Sequence, residues 1–139
     1  MDIRLVDIIG VDPRWEIVHT VKALEINGKT PATSDLARLQ KDDPSEYRKI
    51  MEVIKEVAGK KRVKNPGRVK ADAKKRGVYE MRGKYARLFF FYTADTDEIV
   101  VCANLYRKTD SSIKKQESAF ARCAELKECF ERTQKRKGI

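Results

Sequence analysis

Val78-Tyr79-Glu80-Met81-Arg82, Gly83-Lys84, Tyr85-Ala86-Arg87-Leu88-Phe89-Phe90-Phe91-Tyr92-Thr93 is the stretch whose reading decides the fold. Both long runs are rich in aromatic and aliphatic residues, and only two residues separate them. That spacing suits an antiparallel hairpin. Leu88 to Phe91 is apolar at every position, so both faces of this strand call for cover, as in a central strand. Ala94-Asp95-Thr96-Asp97 reads as a turn, and Glu98 to Tyr106 as a third strand. The three together make an antiparallel meander.

Outward from the meander, helices are expected on both sides. Downstream, Asp110-Ser111-Ser112 is placed to cap a helix from about Ile113 to Arg132, with Ile113, Ala119, Phe120, Cys123, Leu126 and Phe130 on its apolar face. Lys135-Arg136-Lys137 is expected to fray. Upstream, Asp43 suits an N-cap, Pro44 the first helical position and Glu46 the acid of a capping box. Tyr47, Ile50, Met51, Ile54, Val57 and Ala58 then form one helical face, and Gly59 ends it. Between that helix and the meander, Lys60 to Gly77 reads as a basic connector. Asn65-Pro66-Gly67 is its turn, and a transient helix is expected from about Arg68 to Lys75. Ser34 is placed to cap a short helix through about Gln40. Arg14 to Leu24, rich in β-branched types, reads as a first strand closed by Gly28 and Pro31.

The order predicts an α+β fold. A small twisted antiparallel sheet carries the N-terminal helices on one face, with a C-terminal helix after it, and the other face is expected to stay partly open. At 139 residues, one domain over 1–139 is the natural expectation. No run approaches the roughly 18 to 20 apolar residues of a membrane span. Acids interrupt the first apolar run, at Asp2 and Asp7, so it does not read as a signal peptide. A cytoplasmic protein with no membrane partner is expected. Cys102, Cys123 and Cys129 read as reduced, buried thiols, and one histidine in the chain leaves no zinc cluster of familiar spacing.

The net charge of +10 is concentrated. Residues 60–87 hold 12 Lys and Arg against 2 acids, whereas 1–59 are net −2 and 88–139 are net +2. Such a segment attracts polyanions and steers them inward. Lys60, Lys61, Arg62, Lys64, Arg68, Lys70, Lys74, Lys75, Arg76 and Lys84 are therefore candidate RNA contacts. The plainer reading of a charge run is a solvated loop, and here it is weakened because the run leads into a strand with further arginines.

Alternation along the strands puts Glu80 and Arg82 on one face, and Tyr85, Arg87, Phe89 and Phe91 on one face of the next. The tight turn can bring Arg82 and Arg87 together beside Glu80. Tyr106, Arg107 and Lys108 come near that turn if the register allows it. Arginines stabilise a pentavalent phosphate and aromatics stack exposed bases. Each residue also has a plain structural reading: Glu80 with Arg82 as an ion pair, Arg87 as surface, Tyr106 as core. Their convergence beside the basic segment favours the functional one.

Tyr79-Glu80-Met81-Arg82, then Ala86-Arg87-Leu88-Phe89-Phe90-Phe91-Tyr92, then Leu105-Tyr106-Arg107-Lys108-Thr109, then an Ala-containing helix, resembles the RelE/HigB toxin superfamily, closest to its HigB and phage-derived branch. The resemblance covers roughly residues 44–130. It implies a twisted antiparallel sheet with two N-terminal helices. It also implies a toxin that cleaves mRNA in the ribosomal A site without metal or cofactor, and a cognate antitoxin, expected to be a helix-turn-helix protein. In that chemistry the 2′-hydroxyl attacks the adjacent phosphate, leaving a cyclic phosphate and a 5′-hydroxyl. Arg87 falls on the arginine that contacts the reacting phosphate. Glu80 and Arg82 fall where relatives carry a base or phosphate-stabilising groups, and Arg107 and Lys108 on the basic pair after the last strand. The chain departs from relatives that use a C-terminal histidine or tyrosine as general acid, since His19 lies far from the motif and Tyr106 is the nearest tyrosine. A ParE-like gyrase inhibitor and a non-catalytic nucleic-acid-binding module are the rival readings.

Overall fold

The computed structural model describes residues 2–8, 10–108 and 113–136. The fold is α+β. Six strands, β1 (Ile3–Asp7), β2 (Val21–Ile26), β3 (Val69–Ala71), β4 (Tyr79–Arg82), β5 (Ala86–Tyr92) and β6 (Val100–Arg107), form one sheet in the order β1-β2-β6-β5-β4-β3. Helices α1 (Pro31–Asp42) and α2 (Pro44–Gly59) precede β3, and α3 (Ile113–Arg136) follows β6. The expected meander is β4-β5-β6, antiparallel throughout. The sheet as a whole is mixed, because β2 runs parallel to β6.

Both faces of the sheet carry helices, which corrects the expectation of a partly open one. α1 and α2 pack Leu36, Leu39, Ile50, Ile54 and Val57 against Ala86, Leu88, Phe90 and Cys102. α3 packs Phe120, Cys123, Leu126 and Phe130 against Phe89, Phe91, Val101 and Ala103 on the opposite side. Phe89, Phe90 and Phe91 are at most 1% exposed. Each contributes about 1.5–3 kcal/mol by leaving water, which makes β5 the seam of two cores. Cys102 and Cys123 are buried and Cys129 partly so. Burial pushes the Cys102 thiol up to about 12.

Other differences have local causes. Residues 14–20 are not strand, despite their composition. The N–H groups of Val18 and His19 both donate to Ala58 O, so this segment caps the end of α2 instead of joining the sheet. The strand that follows starts at Val21, and β1 pairs with it from outside. Pro31 opens α1, so Ser34 lies inside the helix and its side chain does not cap it. Arg68 to Lys75 is not helical: Val69–Ala71 pairs with β4, and Lys75 (φ 56°) and Gly77 (φ 77°) turn the chain. α3 extends to Arg136, so Lys135 and Arg136 are helical. The expected cap at Asp110-Ser111-Ser112, the side chain of Ile113 and Lys137 lie outside the described residues.

Candidate functional site: a polar row under the third helix

The site starts at the β4–β5 turn, which α2 holds in shape. Asp43 caps α2 as expected, accepting from Glu46 N–H at 3.1 Å. Glu46 does not close a capping box. Its carboxylate crosses to the hairpin and accepts the N–H groups of Lys84 (3.0 Å), Tyr85 (2.6 Å) and Ala86 (2.7 Å). A Cβ on Gly83 would sit 2.9 Å from Glu46 Oε2, so this carboxylate requires glycine there. Tyr85 O–H donates to Asp43 Oδ2 at 2.6 Å. That hydrogen bond holds Asp43 below the usual carboxylate range and pushes the Tyr85 phenol up to about 12.

The register then lines up the reactive side chains. Arg82 pairs with Arg87, and Arg87 with Tyr106. Glu80 pairs with Phe89, and Phe89 with Asn104. Paired residues share a face, so Glu80, Arg82, Arg87, Asn104 and Tyr106 all look toward α3. A β-bulge in β6, opposite the Phe89–Phe90 bond, makes this possible. Val101 and Ala103 already face α3, and the shift keeps Asn104 and Tyr106 on that side as well.

Arg87 Nη1 donates to Gly83 O (2.9 Å) and Ala86 O (3.1 Å), which fixes its guanidinium beside the turn. Burial, then the neighbouring Arg82 charge, pull the Arg87 guanidinium below its ordinary value. Glu80 is fully buried; its Oε1 accepts from Gln116 Nε2 at 2.8 Å and lies 3.6 Å from Arg82 Nε. Four buried polar atoms in this row have no hydrogen-bond partner among the described residues: Glu80 Oε2, Arg87 Nε, Asn104 Oδ1 and the Tyr106 hydroxyl. Each such buried group is costly when it has no partner. Two guanidiniums on neighbouring strands, with a carboxylate and a phenol, are the group types that phosphodiester cleavage uses, and Glu80 and Arg87 are closed off from solvent at 0% and 5% exposed.

The remaining expected site residues divide. Arg107 pairs with Ala86 and so faces the other way, toward α1, where Nη1 meets Asp42 Oδ2 at 3.2 Å. It is not part of the row. Lys108 is exposed just past β6, its N–H bound to Tyr85 O at 2.8 Å. In the basic segment, five side chains are committed to protein partners. Lys60 (3.3 Å) and Arg68 (3.0 Å) hold Glu56, and Arg62 pairs with Glu98 while lying 3.8 Å over the Tyr92 ring. Lys74 meets Glu117 at 3.0 Å. Arg76 reaches Asp72 at 2.6 Å and Glu117 at 2.8 Å, and Asp72 is buried. Lys61, Lys64, Lys70, Lys75 and Lys84 are exposed and carry no ion pair among the described residues. Lys70 is the β3 partner of Glu80, at the edge of the row.

The chain matches no known family model, and no curated protein matches it. Among the described residues no helix is long and apolar enough to cross a membrane. His19 is buried away from the row, its ring nitrogens 2.8 Å from Glu98 O and 3.0 Å from Lys61 O. Sequence reading missed Asn104 and Gln116. Gln116 carried a signal, since it stands three and four residues before Ala119 and Phe120 and is therefore a polar side chain on the apolar face of α3.

Proposed function

We propose that this chain is the toxin of a toxin–antitoxin system and acts as a ribosome-dependent mRNA endoribonuclease. The observation that carries the reading is the cross-strand row Arg82–Arg87–Tyr106 with Glu80 beside it, its inner polar atoms unpartnered among the described residues. Glu80 Oε2 takes the proton of the 2′-hydroxyl as that oxygen attacks phosphorus. Arg82 and the free Nε–H of Arg87 meet the negative charge that grows on the non-bridging oxygens. Tyr106 gives its proton to the departing 5′-oxygen. The products are a 2′,3′-cyclic phosphate and a 5′-hydroxyl. The guanidiniums carry the electrostatic work, so the scheme calls on no metal or cofactor. Lys61, Lys64, Lys70, Lys75 and Lys84, the cations of the basic segment with no ion pair among the described residues, hold the RNA backbone by charge. The protein acts in the cytoplasm, where its mRNA substrate sits on the ribosome, and a neighbouring gene supplies the helix-turn-helix antitoxin that silences it.

Primer extension on cellular mRNA after induction tests the reading. New 5′ ends that follow the reading frame, lost in Tyr106→Phe, are the expected result. Intact mRNA with gyrase trapped on cleaved DNA would replace it with the ParE-like alternative, and intact mRNA with ribosome binding alone would leave a non-catalytic RNA-binding module.

A further inference from the structure

We propose that His19 is a proton-operated clasp at the root of the basic segment: with two ring protons it holds Glu98 O and Lys61 O together, and with one it keeps Glu98 O and lets Lys61 O go.

His19 is the chain's only histidine and is 3% exposed. Its Nδ1 lies 2.8 Å from Glu98 O and its Nε2 3.0 Å from Lys61 O. Both partners are backbone carbonyls, which accept and never donate. A neutral imidazole has one N–H and one lone pair, so it satisfies one of them, and only the imidazolium donates to both. Glu98 itself holds φ 43°, in the left-handed region, a conformation that persists in a non-glycine residue where surrounding contacts fix it.

The groups facing the ring pull in both directions. Glu98 Oε1 stands 3.8 Å from Nε2 and favours the charged ring. Arg62, paired with that carboxylate and lying 3.8 Å over Tyr92, opposes it, as does the charge of Lys61. The Tyr92 ring meets His19 at 5.2 Å, and Tyr79 packs on Tyr92 in turn.

The two carbonyls are not equivalent. Lys61 O also accepts from Arg62 Nη1 at 2.6 Å, so it keeps a donor when Nε2 loses its proton. Among the described residues Glu98 O has no donor besides Nδ1. Deprotonation therefore leaves the Nδ1–H tautomer, with the Nε2 lone pair set against Lys61 O. That repulsion acts where α2 ends at Gly59 and the basic segment begins, beside the exposed Lys61 and Lys64. The proton comes from water and returns to it. Between about pH 5 and about pH 8, the range in which histidine changes charge, acid fixes the root of the segment and base frees it.

NMR of the full chain tests this, and a single histidine makes the ring signals unique. Ring 15N shifts and the carbonyl 13C shifts of Lys61 and Glu98 are followed from about pH 5 to about pH 8. Two protonated nitrogens are expected at the acid end. At the other end Nε2 should shift to the position of a lone-pair nitrogen while Nδ1 keeps its proton. The Lys61 carbonyl should lose its hydrogen-bond shift in step with Nε2, and the Glu98 carbonyl should hold still. His19→Gln, whose amide does not titrate, should show no step at Lys61. A ring that keeps one charge state throughout, a neutral ring with its proton on Nε2, a Lys61 carbonyl that stays put while the ring titrates, or a step at Lys61 that survives in His19→Gln overturns the clasp. If His19→Gln does not fold, the wild-type ring and carbonyl shifts decide alone.

Discussion

Arg76→Ala should unfold the protein more easily before it changes anything about RNA. Arg76 is 27% exposed in its side chain, but its partner Asp72 is only 1% exposed. The guanidinium meets both Asp72 oxygens, Nε to Oδ2 at 2.6 Å and Nη2 to Oδ1 at 3.1 Å, and Glu117 as well. Without it, the Asp72 carboxylate keeps, among the described residues, only the N–H groups of Lys74 (3.2 Å) and residue 76 (3.3 Å), both long. A buried carboxylate stripped of its cation is destabilising by several kcal/mol, and the partial exposure of Arg76 moderates this to about 2–3 kcal/mol. For a chain of this length that lowers Tm by about 7–10 °C. The pH dependence follows from the hydrogen bonds to Arg76 and Lys74, which hold Asp72 and Glu117 below the usual carboxylate range. Their contribution is complete above about pH 4, the unfolded carboxylate value, and drains away as pH falls through the lower folded values. The variant should lose stability at neutral pH and show a shallower fall on acidification. Thermal unfolding across a pH series, with Lys75→Ala as the neighbour that keeps its fold, checks this. Equal Tm for Arg76→Ala and wild type at neutral pH would refute the reasoning and return Arg76 to the RNA-contacting set.

Tyr106→Phe removes a hydroxyl with no described partner, so its Tm should be unchanged or slightly higher, while cleavage falls by about a hundredfold to ten-thousandfold if that hydroxyl protonates the leaving oxygen; single-turnover cleavage on programmed ribosomes measures it, and a parental rate removes Tyr106 from the reaction. Arg87→Ala should cut cleavage about a hundredfold to thousandfold, but its Tm should fall too, because the side chain is buried and bonded to Gly83 O and Ala86 O. Arg87→Lys should recover only part of the rate, since a point charge does not reproduce the planar fork, and full recovery would argue for charge alone. Glu46→Gln replaces an acceptor of three N–H groups with one that turns two donors of its own toward the hairpin, so denaturant unfolding should show a loss of about 2–4 kcal/mol; an unchanged midpoint would mean the turn holds its own shape.

Local chemistry determined a good deal by itself. Asp43-Pro44 starts α2 because an N-cap oxygen and a fixed φ act within one turn. Phe89-Phe90-Phe91 had to be covered on both sides, since alternation turns successive side chains to opposite faces. The period of Phe120, Cys123, Leu126 and Phe130 named the buried face of α3. The shared face of Glu80, Arg82 and Arg87 followed from alternation and a two-residue link. What only the tertiary structure decided involves partners distant in sequence. Val18 and His19 look like strand, yet Ala58 O, some forty residues on, takes both their N–H groups. Val69-Lys70-Ala71 is too short and too mixed to signal a strand by itself, and pairing with the edge of β4 makes it one. A one-residue bulge in β6 puts Tyr106 in the row, while Arg107 faces Asp42 on the other side of the sheet. Asp72 and Glu117 turn Arg76 from an apparent RNA contact into a brace, because charge in a sequence is counted without its counter-charge. Gln116 reaches Glu80 only once α3 has folded back over the sheet, a contact between residues 36 positions apart that no local periodicity contains.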